Sequence, residues 1–157
     1  MIDISIHGEL PTIDTDLTPH LRKIGERMVE SIRRNFIAGG RPAWRPLAGA
    51  NNRSPLQGTG RLSRSVRYQV IDNSVVVTAG EGIPYARIHQ AGGTVHPTIT
   101  ERSKKYFWAM FAATGDPKWK WMALKKPGSK FNVQIPARPY MNVQPEDMQF
   151  VEEILGI

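Results

Sequence analysis

The 157-residue sequence contains no cysteine, which excludes disulfide frameworks, thiolate metal sites and cysteine nucleophiles. It has no apolar run approaching the ~20 residues that span a bilayer. Its first residues, MIDISIHGEL, alternate in character and carry Asp3 and Glu9, unlike a secretory signal. Synthesis and use in a cytoplasm are therefore expected. The familiar signatures of catalysis are missing too. The four histidines, His7, His20, His89 and His96, include no pair at the four-residue helical spacing of a zinc site, and no carboxylate cluster accompanies them. His89 and His96 stand seven apart across a Gly-Gly, which is a poor ligand spacing. Gly58-Thr59-Gly60 lacks the Gly-Lys-Ser/Thr ending of a phosphate loop. No Gly-x-Ser-x-Gly elbow occurs, and acidic residues are too scattered to suggest paired carboxylates. An enzyme is left without a sequence argument, and neither metal nor cofactor is expected.

Acidic residues are also missing from one long stretch. None lies between Glu30 and Asp72, where Arg33, Arg34, Arg41, Arg45, Arg53, Arg61, Arg64 and Arg67 occur. A second basic region runs from Arg102 to Lys130, with eight Lys/Arg against Asp116 alone, and the whole chain has a net charge of +7. Such a field attracts polyanions, but it equally suits a solvated face or a surface that meets acidic neighbours. With 40% apolar and 22% charged residues, the chain is long enough for a real core, and a single domain over 1–157 is expected. Its 14 glycines and 12 prolines imply long irregular connections.

Periodicity supplies the elements. Ile2, Ile4 and Ile6 alternate with polar residues as in a half-buried strand ended by Pro11. Leu21, Ile24, Met28, Ile32 and Phe36 form a helical stripe, with Thr18 as the expected N-cap, Pro19 at the first position and Gly39-Gly40 as the stop. Residues 41–60 read as a long loop anchored by Trp44 and Leu47, followed by a short helical turn capped by Thr59 that buries Leu62 and Val66. Val66–Val70 and Ser74–Ala79 read as a hairpin about the turn residues Asp72-Asn73-Ser74. Ile83 to Gly93, IPYARIHQAGG, reads as a Pro-started, Gly-stopped helix of about two turns with small residues for close packing. A bent strand over Thr94–Thr100, a helix over Glu101–Ala113 capped by Thr100, a loop over 114–130, a strand over Phe131–Ile135 and a helix over Pro145–Leu155 complete the pattern. The fold class expected is α+β, a mixed or antiparallel sheet packed against a long N-terminal amphipathic helix, with long basic loops and short additional helices. Lys118-Trp119-Lys120-Trp121 interleaves charge with aromatic faces; the tryptophans either stack on bases or pack back onto the core or a partner subunit.

Four short motifs follow one another in this sequence: Trp44-Arg45-Pro46-Leu47, then Gly60-Arg61-Leu62 within LQGTGRLSRSV, then Tyr85-Ala86-x-x-His89-x-x-Gly92-Gly93, then Ile135-Pro136-Ala137-Arg138-Pro139. In that order, over about Met28 to Met141, the chain resembles the phage virion morphogenesis family, also called tail completion proteins. It departs from the family pattern in the spacers, mainly at 118–130. The resemblance implies a structural assembly protein of a tailed phage or prophage that completes the tail or joins it to the head. It implies a place in the virion neck or tail after assembly in the bacterial cytoplasm, with other copies of itself in a ring, connector or tail proteins, and packaged DNA as contacts, and no membrane. Trp44, Gly60, Leu62, Tyr85, His89, Gly92, Gly93, Pro136, Arg138 and Pro139 are then architectural positions. Arg41, Arg45, Arg53, Lys118, Trp119, Lys120, Trp121, Lys125 and Lys126 are candidates to face an interface or DNA. His89 is expected to bond a backbone carbonyl or a carboxylate. Arg138, held extended by Pro139, is expected to pair with an acid either within the chain or across a subunit boundary. A basic nucleic-acid-binding module is the alternative reading, and a small hydrolase using His89 rests on that histidine alone.

Overall fold

The computed structural model describes the backbone of residues 2–5 and the whole of residues 16–47 and 54–157. In chain order the elements are β1 (Ile2–Ser5), α1 (Thr18–Ala38), α2 (Arg61–Arg64), β2 (Arg67–Ile71), β3 (Ser74–Ala79), α3 (Ala86–Ala91), β4 (Gly93–Val95), α4 (Glu101–Thr114), α5 (Pro117–Leu124), β5 (Val133–Ile135) and α6 (Pro145–Leu155). They form two compact units, Met1–Gly92 with Pro136–Ile157, and Gly93–Ile135. The fold is α+β with antiparallel sheets, and the long helix expected near the N-terminus is present.

In the first unit, the apolar stripe of α1 is what makes the helix pay back its ordering entropy. Leu21, Ile24, Met28, Ile32 and Phe36 are all buried, each contributing about 1.5–3 kcal/mol by leaving water. Thr18 is the first helical residue rather than the cap, and its N–H donates to the Asp16 carboxylate at 3.0 Å. Gly39, at φ 73°, ends the helix, and the Gly40 N–H closes on the Asn35 carbonyl at 2.7 Å. The sheet has the order β1-β3-β2, so β3 is central and buries Val75, Val77 and Ala79 on one face. Its hairpin partner β2 joins it through Asp72-Asn73, with Asp72 at φ 51° as a two-residue turn requires. The helix α1 packs on β2 and β3, and Gly25 is where it comes closest: a Cβ there would lie 2.2 Å from Tyr68 Cδ2.

A buried polar network fastens α6 and the chain before it to α1. Asp147, fully buried, accepts from the Ser31 hydroxyl, from Arg27 Nε at 3.2 Å and from the Gln144 N–H at 3.0 Å. Asn35 donates to the Tyr140 and Asn142 carbonyls at 2.9 and 3.0 Å. Arg41 donates to Asn35 Oδ1 at 2.8 Å, the Ser31 carbonyl at 2.9 Å and Glu146 at 2.9 Å. Val151 supplies the apolar anchor of α6.

The second unit begins and ends as a ladder, with Gly93 opposite Ile135 and Val95 opposite Val133. Thr100 caps α4 as expected, in a reciprocal box with Ser103. Ile99, Phe107 and Ala123 form its core, with Trp119, Met122 and Phe131 packed against it. Tyr106, on the same helix, is 54% exposed. The stretch 114–130, expected to be a loop, holds α5. Asp116 caps it through the Lys118 N–H at 3.0 Å, and Pro117 takes the first turn.

Candidate functional site

The motifs separated in sequence meet in the first unit. The third and fourth are laced together: the Arg138 N–H donates to the His89 carbonyl at 2.7 Å, and Gln90 Oε1 accepts from the N–H groups of Tyr140 and Met141 at 3.0 and 3.1 Å. The Tyr140 hydroxyl, fully buried, donates to the Ala86 carbonyl at 3.2 Å, and burial pushes its pKa up to about 12. The first motif joins through Trp44, whose indole N–H reaches the Pro139 carbonyl at 3.4 Å and whose ring meets Phe36 edge-on at 5.8 Å. The second joins through Leu62, which is in the same core and 2% exposed. Here Gly60, at φ 66°, occupies the cap position of α2 in place of Thr59; the Thr59 hydroxyl still accepts the Arg61 N–H at 3.3 Å.

All four motifs contribute to one cavity of about 270 Å³, lined by Leu47, Thr59, Arg61, Leu62, Tyr85, His89 and Arg138 among others. Larger grooves lie elsewhere; the one of about 750 Å³ along the end of α1 holds only Gly60 of the motif positions. In the smaller cavity the chemistry is cationic. Arg138 is 4% exposed, yet its guanidinium meets only the Arg45 carbonyl, at 3.4 Å, and its Nε has no partner among the described residues. Burial and then the Arg45 charge hold its pKa below the usual arginine value. His89 Nδ1 is likewise buried without a partner. Burial, and secondarily Arg138, lower its pKa, so the ring is held neutral. The Tyr85 ring stands edge-on to it at 6.0 Å. Arg61 donates to the Gly82 carbonyl at 3.2 Å, and among the described residues no acidic side chain lines the cavity.

Several expectations are corrected here. Among the described residues the His89 ring makes no bond to a carbonyl or carboxylate; its main-chain carbonyl carries the contact to Arg138 instead. Of the two pairings expected for Arg138, the one within the chain does not occur among the described residues, where its guanidinium meets the Arg45 carbonyl instead. Gly92 and Gly93 both need positive φ, but Gly92 lies at φ 71°, ψ 177° and leads into β4 rather than forming a left-handed helical stop. Leu47 is 40% exposed, so Trp44 anchors the loop without it. Pro136 and Pro139 are half-buried in the returning strand segment.

The basic candidates separate by what their charges already do. Arg41 is committed to the internal network. Within the acid-free stretch, Arg33 donates to the Val66 carbonyl at 3.2 Å and Arg64 to the Thr59 carbonyl at 2.7 Å, so each guanidinium holds irregular backbone. The Arg45 side chain is exposed, and Arg53 lies outside the described residues. Trp119 stacks on Phe107 with centroids 6.0 Å apart, whereas Trp121 is 70% exposed. Lys118 pairs with Asp116 at 2.7 Å; Lys120, Lys125 and Lys126 are exposed. Asn35, Gln90, Asp147 and Gly25 have no signal in the sequence, since each matters only for a neighbour far along the chain.

Among the described residues no group of three or more potential ligands could hold a metal ion, and no helix is long and apolar enough to cross a membrane. Over 129 residues the chain is 30% identical to the Mu-like prophage FluMu G protein 2 of Haemophilus influenzae, a match that covers 82% of this chain and 68% of that protein. No solved structure matches it. The phage virion morphogenesis family matches residues 6–156, a span that includes every motif lining the cavity. The chain belongs to the phage virion morphogenesis family.

Proposed function

We propose that this protein is a structural assembly component of a tailed phage or prophage particle, without catalytic activity, that completes the tail or joins it to the head as a ring-forming oligomer. The observation that carries the reading is the character of the motif residues. They spend their hydrogen bonds on one another's backbone, and they line a cavity that has cationic donors and, among the described residues, no carboxylate. A catalytic histidine needs a second group to orient it, and the described residues place none at His89 Nδ1. Tail or neck assembly predicts self-association, alone or on a template. Chromatography with light scattering, run on the protein by itself and mixed with connector or tail proteins, tests this. A strict monomer under both conditions refutes it.

Contact with packaged DNA is a second reading, favoured by the exposed Lys120, Lys125 and Lys126 and the 70% exposed Trp121 in the second unit. It predicts sequence-blind binding to duplex DNA that falls steeply with salt. Lys120→Glu, Lys125→Glu and Lys126→Glu together remove it, and an absence of binding by the unmodified protein at low salt refutes it.

A further inference from the structure

We propose that the Arg138 cavity receives a glutamate carboxylate, Glu152 or Glu153, from α6 of a second copy of this chain, in a head-to-tail contact. This deepens the oligomeric part of the proposed function and rests on it. A guanidinium on a residue 4% exposed would ordinarily be compensated by an acid, because a buried charge is retained where it is paired and hydrogen-bonded. Arg138 has no such acid among the described residues, and its Nε is unpartnered. His89 Nδ1 is a second polar atom without a partner, and Arg61 adds a further cation to the same walls. A cavity of about 270 Å³ admits a side chain but not a helix of roughly 10 Å diameter. The geometry therefore calls for one carboxylate carried on the surface of another element.

Charge identifies the element. After Arg138 the chain has four acidic residues and no lysine or arginine, so all 21 basic residues precede that segment. Asp147 is spent on Ser31, Arg27 and Gln144, and Glu146 on Arg41. Glu152 and Glu153 are exposed and form no ion pair among the described residues. A basic cavity on one copy that takes an acidic helix of the next is a heterologous contact, which closes into a ring when the rotation allows.

The absence of native cysteine makes a trapping experiment clean. A Thr59→Cys chain mixed with a Glu153→Cys chain gives a disulfide-linked dimer under mild oxidation. Replacing the second partner by Asp72→Cys gives the background. Glu152→Gln with Glu153→Gln, both exposed and therefore harmless to folding, weakens self-association by about 30-fold, read by sedimentation at several concentrations. Arg61→Glu weakens it too, and Glu152→Arg with Glu153→Arg in the same chain restores it. Cross-linking no better than background, or association unchanged by the glutamine pair, overturns the proposal. So does binding of acetate or phosphate at the cavity that leaves association untouched, because the cavity is then a small-anion site. A wild-type chain that does not self-associate, together with cysteine variants that do not cross-link above background, refutes this contact alone, since assembly on connector or tail proteins is measured separately.

Discussion

Removing the Asp147 carboxylate should release α6. The side chain is fully buried and accepts three bonds, from the Ser31 hydroxyl, the Gln144 N–H and Arg27 Nε. In Asp147→Ala, the Ser31 hydroxyl and the Gln144 N–H lose an acceptor where water reaches poorly, at about 1–3 kcal/mol for each buried group left unmade. Ser31 is 3% exposed and keeps its contact with Arg41 at 2.7 Å, which places its loss at the low end. Loss of the cap at the start of α6 is part of the Gln144 figure, not an addition to it. Arg27 has 26% of its side chain in solvent and rehydrates, so its share is small. Together the loss is about 3 kcal/mol, which for a chain of this size lowers Tm by roughly 6–12 °C. Urea and thermal unfolding followed by circular dichroism measure it. Asp147→Asn, which keeps an acceptor but turns an amide toward three donors, should lose about half as much. A cycle with Arg27→Met should show coupling of about 1 kcal/mol or less. If Asp147→Ala costs under about 1 kcal/mol, α6 is held by Val151 and its apolar neighbours and the polar network is incidental.

Gly25→Ala gains about 1 kcal/mol of helix propensity, yet its Cβ would fall 2.2 Å from Tyr68 Cδ2, and overpacking costs about 1–3 kcal/mol; net destabilisation in urea is expected, and a stabilised variant refutes the close contact. Trp44→Ala should lose about 3–5 kcal/mol, measured the same way, because the ring is 7% exposed against Phe36. His89, held below its ordinary value of 6.5, is neutral when folded and takes up a proton more readily when unfolded, so the wild-type protein should lose stability as pH falls from 6.5 toward the lower folded value. His89→Gln should flatten that dependence in thermal melts across the window, and a stability that rises on acidification refutes the assignment.

Legibility in the sequence followed locality. The stripe of α1, the Thr100 cap, the Asp72-Asn73 hairpin and the bounds of α6 are written within a few residues of themselves, and the fold reproduces them. The helix α5 was misread because Lys118-Trp119-Lys120-Trp121 alternates with a period of two, although Asp116-Pro117 is a sound helix start. Only one of those tryptophans is in the core, which no local pattern distinguishes. The motif residues were identifiable as a set, but their convergence on a cavity depends on contacts such as Gln90 with Tyr140, fifty residues apart. Of the arginines from 33 to 67, Arg33, Arg61 and Arg64 donate to backbone carbonyls, partners that leave no trace in composition.

The pairing of Gly93 with Ile135 brings the two ends of the second unit together. Opposed residues of an antiparallel pair have their Cα atoms only about 5 Å apart. The polypeptide thus departs and comes back through a single rung, and everything between can be lengthened, shortened or exchanged with little demand on the backbone that follows. Related particles facing different neighbours could diversify this excursion while the buried residues on either side stay fixed, and a foreign sequence with closely spaced ends is a natural graft at the same rung.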